Sequence, residues 1–184
     1  MSSNQKAFME NTAYLSLGSN IEPEINMAKA ISLLARLTRL VAVSSVWETP
    51  AIGRPEQANY LNAAAIVQTP LDAGNLKRQI LAAIERNLGR VRTKDKFAAR
   101  PMDIDIIFFN TDVLDVGRRH IPDREVLERA FVAVPLAEIA PDYRHPETGQ
   151  LLAEIAEQFD ISQDNMSIRP DVSRQLARLV SSIS

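Results

Sequence analysis

The chain has 184 residues, of which 46% are hydrophobic and 24% are charged, a balance typical of a globular protein with a sizeable core. Its net charge of −2 argues against a general nucleic-acid binder, and the lack of cysteine excludes disulfides and thiolate metal sites. No apolar run approaches transmembrane length, and residues 1–11 contain no signal-peptide core. We therefore expect a cytoplasmic protein that binds neither membranes nor nucleic acids.

The pattern of polar and apolar residues predicts a single domain over 1–184, frayed at 1–11 and ending in a helix-containing tail at 151–184. Gly18, Ser19 and Asn20 predict a turn and the N-cap of the first helix, and Gly89 predicts the end of the second. The predicted elements are, in chain order, strand 12–17, a helix from Pro23, strand 40–48, loop 49–57, strand 59–69, a helix with apolar Leu76, Ile80, Ile84 and Leu88, and strand 102–109.

This order of elements, β-α-β-β-α-β, predicts an α+β fold of the ferredoxin-like type. Such a fold has an antiparallel sheet, and we expect its helices on one face. Residues 112–152 predict a short strand, a turn and one or two short helices. Val172, Leu176 and Val180 predict a last amphipathic helix near 171–182.

Two aspartates, Asp103 and Asp105, interrupt the stretch RPMDIDIIFFN, which is otherwise typical of a buried strand. Side chains two residues apart on a strand share a face, so the aspartates point together. We expect Ile104, Ile106 and Phe108 to point the other way, into the core. Adjacent carboxylates oppose each other's ionisation unless a cation lies between them, and hard oxygen ligands suit Mg²⁺. The alternative is a pair that faces solvent or binds basic side chains.

A basic segment precedes this pair. Residues 86–100 contain one acid, Asp95, and six basic residues, for a local charge of +5: Arg86, Arg90, Arg92, Lys94, Lys96 and Arg100. A solvated loop is one interpretation, but cations beside metal-binding carboxylates are the usual clamp for a polyphosphate. The chain lacks the P-loop and protein-kinase signatures, so the pattern indicates a metal–nucleotide site outside those classes.

Six stretches follow one another along residues 13–150: LSLGSNIEP, SSVWETPAIG, NYLNAA, GRVR, RPMDIDIIFF and IPDREVLERAFVAVPLAEIAPD. Together they resemble the 6-hydroxymethyl-7,8-dihydropterin pyrophosphokinases of folate biosynthesis. The resemblance implies transfer of the β,γ-pyrophosphate of ATP to the pterin hydroxymethyl group, with release of AMP. It also implies two Mg²⁺ ions and a monomeric enzyme whose partners are the small molecules ATP and the pterin.

The same resemblance implies the roles of individual residues. Asp103 and Asp105 would hold the metal ions and, with Arg90 and Arg100, form the catalytic group. The ATP-binding residues would be Arg90, Arg92, Arg100, Ile106, Arg118 and Arg129. The pterin-binding residues would be Thr49, Pro50, Ile52, Tyr60, Asn62, Phe97 and Phe131.

Several of these assignments have a simpler alternative. Arg118 and Arg129 could form surface salt bridges, and Tyr60 and Phe131 could be core aromatics. Glu85 matches an acidic position that could orient a loop arginine or form an exposed helix salt bridge. Three further positions are expected to be structural: Gly18 and Asn20 in the first turn and Trp47 in packing.

The chain departs from the family pattern at two places. Phe97, Ala98 and Ala99 stand where the family often has Trp-Gly-Pro, which changes the stiffness of the loop and the area that covers the pterin. Asp123 stands where many members have histidine. An aspartate cannot donate to a phosphate unless it is protonated, so Asp123 would repel the triphosphate, bind metal indirectly or face away.

Two other functions fit parts of the sequence. One is an enzyme that keeps the metal–ATP site but uses another acceptor or hydrolyses ATP; the set of Tyr60, Asn62 and Phe131 argues against it. The other is a small-molecule regulatory domain on the same fold, which leaves Asp103, Asp105 and the basic segment without a purpose. A catalytically impaired pterin-binding copy is a third outcome that the departures allow.

Overall fold

The computed structural model describes residues 10–91, 95 and 98–183. Its elements are β1 (Asn11–Ser19), α1 (Pro23–Leu37), β2 (Arg39–Val43), β3 (Trp47–Thr49), β4 (Tyr60–Thr69), α2 (Ala73–Asn75), a π-helical segment (Leu76–Leu81), α3 (Ala82–Asn87), β5 (Asp103–Phe109), β6 (Leu114–Val116), β7 (Arg119–Ile121), α4 (Glu125–Glu128), α5 (Ala130–Ile139), α6 (Leu152–Ala156), β8 (Ser167–Ile168) and α7 (Pro170–Ile183). Among these helices, none combines the length and apolarity that crossing a bilayer requires.

One sheet organises the fold, with strand order β5-β1-β4-β3-β8 and with β2 also paired to β4. Its strand pairs are antiparallel, so the predicted ferredoxin-like arrangement is confirmed. The predicted strand 40–48 is in fact two strands. Its continuity fails because the backbone N–H groups of Ser45 and Val46 donate to the side chains of Glu138 and Ser173 instead of to a neighbouring strand.

Helices cover both faces of the sheet, so the expectation of helices on one face was wrong. On one face, α1, the 73–87 helical segment and α7 bury a cluster that includes Leu15, Leu17 and Leu176. On the other face, α5 and α6 pack over Ile107 and Phe108. The chain beyond β5 therefore supplies the second half of the core.

A β-bulge changes which way the end of β5 faces. Tyr14 pairs with Phe108 and Leu15 pairs with Ile106, so Ile107 is an extra residue in β5. Ile104 and Ile106 lie in the first core cluster as predicted, but Phe108 lies in the second. From the extra residue onward, the alternation of side chains between the two faces of the sheet is reversed. A prediction that assumes a strict two-residue period does not detect this reversal.

The helical segment 73–87 also departs from its predicted period. It begins at the N-cap Asp72, whose carboxylate accepts from the Asn75 N–H at 2.7 Å, and it stops before Gly89, where φ is +88°. Leu76, Leu81 and Ile84 are buried, whereas Ile80 is only partly buried. The π-helical turn accounts for the five-residue step from Leu76 to Leu81.

The first helix begins at Pro23 as predicted, but its N-cap lies outside the Gly18–Asn20 turn. Gly18 and Ser19 belong to β1, and the N-cap of α1 is Glu22, in the left-handed region at φ 41°. The side chain of Asn26 donates to the Ile21 carbonyl at 2.7 Å and steadies this entry. Asn20 is consequently free of a capping role and serves the cleft described below.

The C-terminal segment packs back onto the sheet. Strand β8 pairs with β3, and α7 is the last helix that the sequence predicted; its Val172 and Leu176 are buried against the core. Arg169 joins the two parts, since its guanidinium contacts Glu48 at 2.8 Å and Glu24 at 3.3 Å.

His145 predicts a pH dependence of stability. Its ring packs on Phe108, and its Nδ1 accepts the N–H groups of Glu147 and Thr148, so the proton lies on Nε2, which has no partner among the described residues. Burial lowers the pKa of His145 in the folded chain. The stability that its neutral form gives is present above the unfolded-state pKa of about 6.5 and is lost as pH falls, by up to about 1.4 kcal/mol per pH unit.

Urea unfolding at pH 5 and pH 7 measures this loss. In His145→Asn, whose side-chain oxygen still accepts the two N–H groups, we expect a smaller fall in unfolding free energy between these pH values. The matched control is His120→Asn at the other histidine, which is exposed and whose pKa is raised by hydrogen bonds to Asp115 and Glu147. His120 stabilises the fold when protonated, so its loss should steepen the fall. A wild-type slope in His145→Asn would contradict this account.

Candidate active site

A cleft of about 540 Å³ opens where β1, β4 and β5 meet the 49–57 loop and the start of α5. That volume is within the range of small-molecule sites. The structure brings eleven of the sequence-predicted residues to its walls: Thr49, Pro50, Ile52, Tyr60, Asn62, Arg90, Arg100, Asp103, Asp105, Arg129 and Phe131. Residues predicted from separate parts of the chain thus meet in one place.

Asp103 is held between two arginines. Arg90 and Arg100 each donate to one of its carboxylate oxygens. Burial raises the pKa of Asp103, but the hydrogen bond from Arg90 and the charges of Arg90, Arg100 and Lys77 outweigh burial, so the pKa is lowered overall. This carboxylate is therefore ionised in the ligand-free chain.

Asp105 is paired with cations from two other elements. Its Oδ1 lies 3.2 Å from the Lys77 Nζ and 3.1 Å from the Arg119 Nη1. Burial and the neighbouring charge of Asp103 raise the pKa of Asp105, while Lys77 and Arg119 oppose that rise. Both carboxylates are thus paired with basic side chains, one of the alternatives that the sequence left open.

Glu85 connects the basic side chains around Asp103 and Asp105 to strand β5. Its side chain is 2% exposed, and its Oε1 accepts the Ile104 N–H at 3.0 Å and contacts Arg90 at 3.1 Å and Lys77 at 3.3 Å. Glu85 thus orients a loop arginine and fixes it to β5. The alternative of an exposed helix salt bridge is wrong.

Asn20 fixes the backbone of Arg100. Its N–H donates to the Arg100 carbonyl at 3.0 Å, and its side-chain oxygen accepts the Arg100 N–H at 2.7 Å. The amide nitrogen of Asn20 donates to Gln57 and to the Ala58 carbonyl. Asn20 therefore joins the basic segment to the loop on the other side of the cleft.

The aromatic side of the cleft lies beside the carboxylates. Tyr60, at the start of β4, and Phe131, in α5, are both partly exposed and line the cleft, so neither is a fully buried core aromatic. Asn62 is buried and donates to the Thr49 hydroxyl at 2.9 Å. A Cβ on Gly18 would lie 3.4 Å from the Asn62 Oδ1, an ordinary van der Waals contact, so the space there does not require glycine. Trp47 packs with Ala130 and Met166, as expected.

Three predicted positions lie away from the cleft. The Ile106 side chain is in the sheet core, and Arg118 is exposed in the β6–β7 turn. The neighbouring Arg119, the first residue of β7, takes the cleft position instead. Asp123 is buried, accepts from Arg119 and from the Glu125 N–H, and is not among the residues that line the cleft, although the same Arg119 Nη1 also lies 3.1 Å from the Asp105 Oδ1.

Two further predicted residues, Arg92 and Phe97, lie outside the described part of the chain. Sequence reasoning also missed Lys77, Arg119 and Glu125. Glu125 lines the cleft, and burial, followed by the charges of Asp123 and Asp105, raises its pKa. The sequence does not indicate that Lys77 contacts the site. The predicted four-residue period places Lys77 next to the apolar face of the helix and not on the side that faces β5.

The carboxylates of Asp103 and Asp105 are the donors that the cleft offers to a metal ion. Within residues 10–91, 95 and 98–183, no group of three or more His, Asp or Glu side chains is placed to hold one. A metal here would take two protein ligands and complete its shell with phosphate oxygens and water, as Mg²⁺ does. The residues fit a metal that arrives with a polyphosphate better than a metal caged by protein alone.

Comparisons with known proteins show the family of the chain. The model of the 7,8-dihydro-6-hydroxymethylpterin-pyrophosphokinase (HPPK) family matches residues 14–141. The chain is 36% identical over 152 residues to the 2-amino-4-hydroxy-6-hydroxymethyldihydropteridine pyrophosphokinase of Haemophilus influenzae, covering 80% of this chain and 92% of that protein. It is 43% identical over 133 residues to the protein of the same name from Methylorubrum extorquens, covering 71% and 83%.

A solved structure shows a similar fold. Wild-type Plasmodium falciparum HPPK-DHPS with pterin and p-hydroxybenzoate matches with a TM-score of 0.68 at 14% identity. The match covers 86% of this chain and 44% of that chain, so the present protein spans less than half of the longer one.

Proposed function

The chain belongs to the 7,8-dihydro-6-hydroxymethylpterin-pyrophosphokinase family, and we propose that the cleft beside Asp103 and Asp105 is its active site. The enzyme transfers pyrophosphate from ATP to 6-hydroxymethyl-7,8-dihydropterin in folate biosynthesis, giving AMP and the pterin diphosphate. One observation carries the assignment of the site: two largely buried carboxylates, ringed by cations, lie beside an aromatic pocket in the same cleft.

The cations of the cleft would bind the triphosphate. Arg90 and Arg100 already converge on Asp103, and phosphate oxygens can replace its carboxylate as their partner. The exchange would leave the oxygens of Asp103 open to Mg²⁺, beside the carboxylate of Asp105. Bound Mg²⁺ would supply charge neutralisation at the phosphate oxygens.

The aromatic pocket would hold the acceptor. Tyr60 and Phe131 provide faces for a flat heterocycle, and Asn62 and the Thr49–Ile52 loop provide hydrogen-bonding groups for its edge. The pocket and the carboxylates belong to one cleft, so the pterin hydroxymethyl group would face the phosphates. Its oxygen attacks the β-phosphorus, the bond from that phosphorus to the α-phosphate oxygen breaks, and AMP leaves.

The outer cations would complete the ATP site. Arg119 is half exposed and pairs with Asp105 and Asp123, and Arg129 lies at the start of α5 on the cleft wall. Both are placed to meet phosphates beyond Arg90 and Arg100. We also propose that the enzyme acts as a monomer, because a single chain supplies every group named here.

Product analysis tests the proposed function. Purified protein with ATP, Mg²⁺ and 6-hydroxymethyl-7,8-dihydropterin should form AMP, only when the pterin is present, in equal amount to a pterin diphosphate. Removal of Mg²⁺ with a chelator should stop both products. ADP and phosphate would instead indicate a relative with different chemistry, and tight pterin binding without turnover would indicate a catalytically impaired copy.

A further inference from the structure

Lys77 contacts two acids of the active-site group, although neither the sequence pattern nor the family resemblance gives it a role. Its Nζ lies 3.2 Å from the Asp105 Oδ1 and 3.3 Å from the Glu85 Oε1, and it also donates to the Ile104 carbonyl. The ammonium group of Lys77 therefore lies between the carboxylates of Asp105 and Glu85.

The π-helical segment accounts for this position. Lys77 and Glu85 are eight residues apart, and eight residues of a regular α-helix turn through about 800°, which would leave the two side chains about 80° apart. A π-turn contains one extra residue, and this residue does not rotate the direction of the later side chains by a further 100°. The effective spacing is then near seven residues, or about 700°, within about 20° of two full turns. Leu76–Leu81 is π-helical, so Lys77 and Glu85 both face β5.

Lys77 differs from the cations that line the cleft in how it is held. The Arg119 side chain is 50% exposed on the short strand β7, whereas the Lys77 side chain is 20% exposed and has three partners. Two of those partners, Glu85 and the Ile104 carbonyl, belong to the scaffold and not to the phosphate-facing surface. These two contacts would hold Lys77 beside Asp105 when ATP draws the arginines away.

We propose that Lys77 is the resident counter-ion of Asp105, a positioning residue that holds this carboxylate ready and weakens metal binding to it until the nucleotide arrives. The inference rests on the proposed function, since it treats Asp105 as a metal ligand. A fixed positive charge about 3 Å from the ligand oxygen repels a divalent cation. The triphosphate then offsets that repulsion with its own negative charge.

Mn²⁺ binding without nucleotide tests the proposal, measured at pH 8 by electron paramagnetic resonance of free Mn²⁺. We expect Lys77→Gln, which loses the charge but keeps a donor, to bind Mn²⁺ about tenfold more tightly than the wild type. Lys77→Arg, which retains the charge, should bind as the wild type does. Lys29→Gln, an exposed position on α1, is the matched control for net charge and should also be unchanged.

Two results would overturn the counter-ion role: equal Mn²⁺ affinity in Lys77→Gln and the wild type, or equally tight binding by Lys77→Arg and Lys77→Gln. Thermal melting checks that each variant is folded, and Lys77→Met is a second neutral variant if the glutamine is not tolerated. Pyrophosphoryl transfer by the wild type is assayed separately. Transfer with no change in Mn²⁺ affinity rejects only this inference, whereas no transfer rejects the proposed function.

Discussion

Replacement of Asp105 by alanine is expected to lower pyrophosphoryl transfer about a thousandfold or more while the fold stays intact. The loss in rate follows because Asp105 is one of the two carboxylates that we propose as metal ligands, and metal charge neutralisation contributes several kcal/mol to such reactions. Stability should change by less than about 1 kcal/mol, since burial already makes the charge of Asp105 costly. The cations that it leaves behind keep other partners: Lys77 keeps Glu85, and Arg119 keeps Asp123.

Steady-state AMP formation and urea unfolding of the same preparation measure the two halves of this prediction. Asp142→Ala removes an exposed aspartate beyond α5 and is the matched control, which should leave both quantities unchanged. An Asp105→Ala protein that turns over at near the wild-type rate would exclude Asp105 as a ligand. One that is unfolded would show that the carboxylate is structural.

Strand period and local charge were enough to predict the centre of the site. Alternation on a strand places Asp103 and Asp105 on one face, and the basic segment that precedes them in the chain supplies Arg90 and Arg100. The family resemblance added the aromatic pocket, because nothing in composition relates Tyr60 to Phe131. These inferences depend on the regular geometry of a strand or on the order of motifs along the chain, and the folded structure preserves both.

The misses arise where one residue breaks a regular repeat. The bulge at Ile107 reverses the facing of Phe108, and the π-turn brings Lys77 into the site. Arg118 and Arg119 are adjacent, so an uncertainty of one residue in the β6–β7 hairpin exchanges an exposed arginine for one in the cleft. Such insertions are set by tertiary packing, which a periodic reading of the sequence does not contain.

The C-terminal segment is connected to residues next to the aromatic pocket, and no sequence pattern indicated this connection. Arg169 contacts Glu48, and Glu48 also accepts from the side chain of Asn59 at 2.8 Å. Glu48 precedes Thr49, and Asn59 precedes Tyr60, so the Arg169–Glu48 ion pair and the Asn59–Glu48 hydrogen bond together connect both ends of the 49–57 loop to the C-terminal segment. The matched family region ends at residue 141, so Arg169 lies beyond it, whereas Glu48 and Asn59 lie within it.

Replacement of Arg100 by alanine is expected to lower kcat about 100- to 1000-fold and to change KM for ATP by less than about threefold. Asn20 holds the Arg100 backbone at both its N–H and its carbonyl, so the variant loses the guanidinium without moving the loop. Arg90 still contacts Asp103, which keeps that carboxylate paired and the ground-state site assembled. The lost interaction is therefore the one with charge that develops on the transferred phosphates.

Initial rates over a range of ATP concentrations separate the two parameters. Arg118→Ala is the matched control, because Arg118 is an exposed arginine of the β6–β7 turn that does not line the cleft, and both of its parameters should equal those of the wild type. A raised KM with an unchanged kcat in Arg100→Ala would mean that Arg100 only binds ground-state nucleotide. The catalytic contribution would then pass to Arg90, whose contacts with both Glu85 and Asp103 place it deeper in the same cluster.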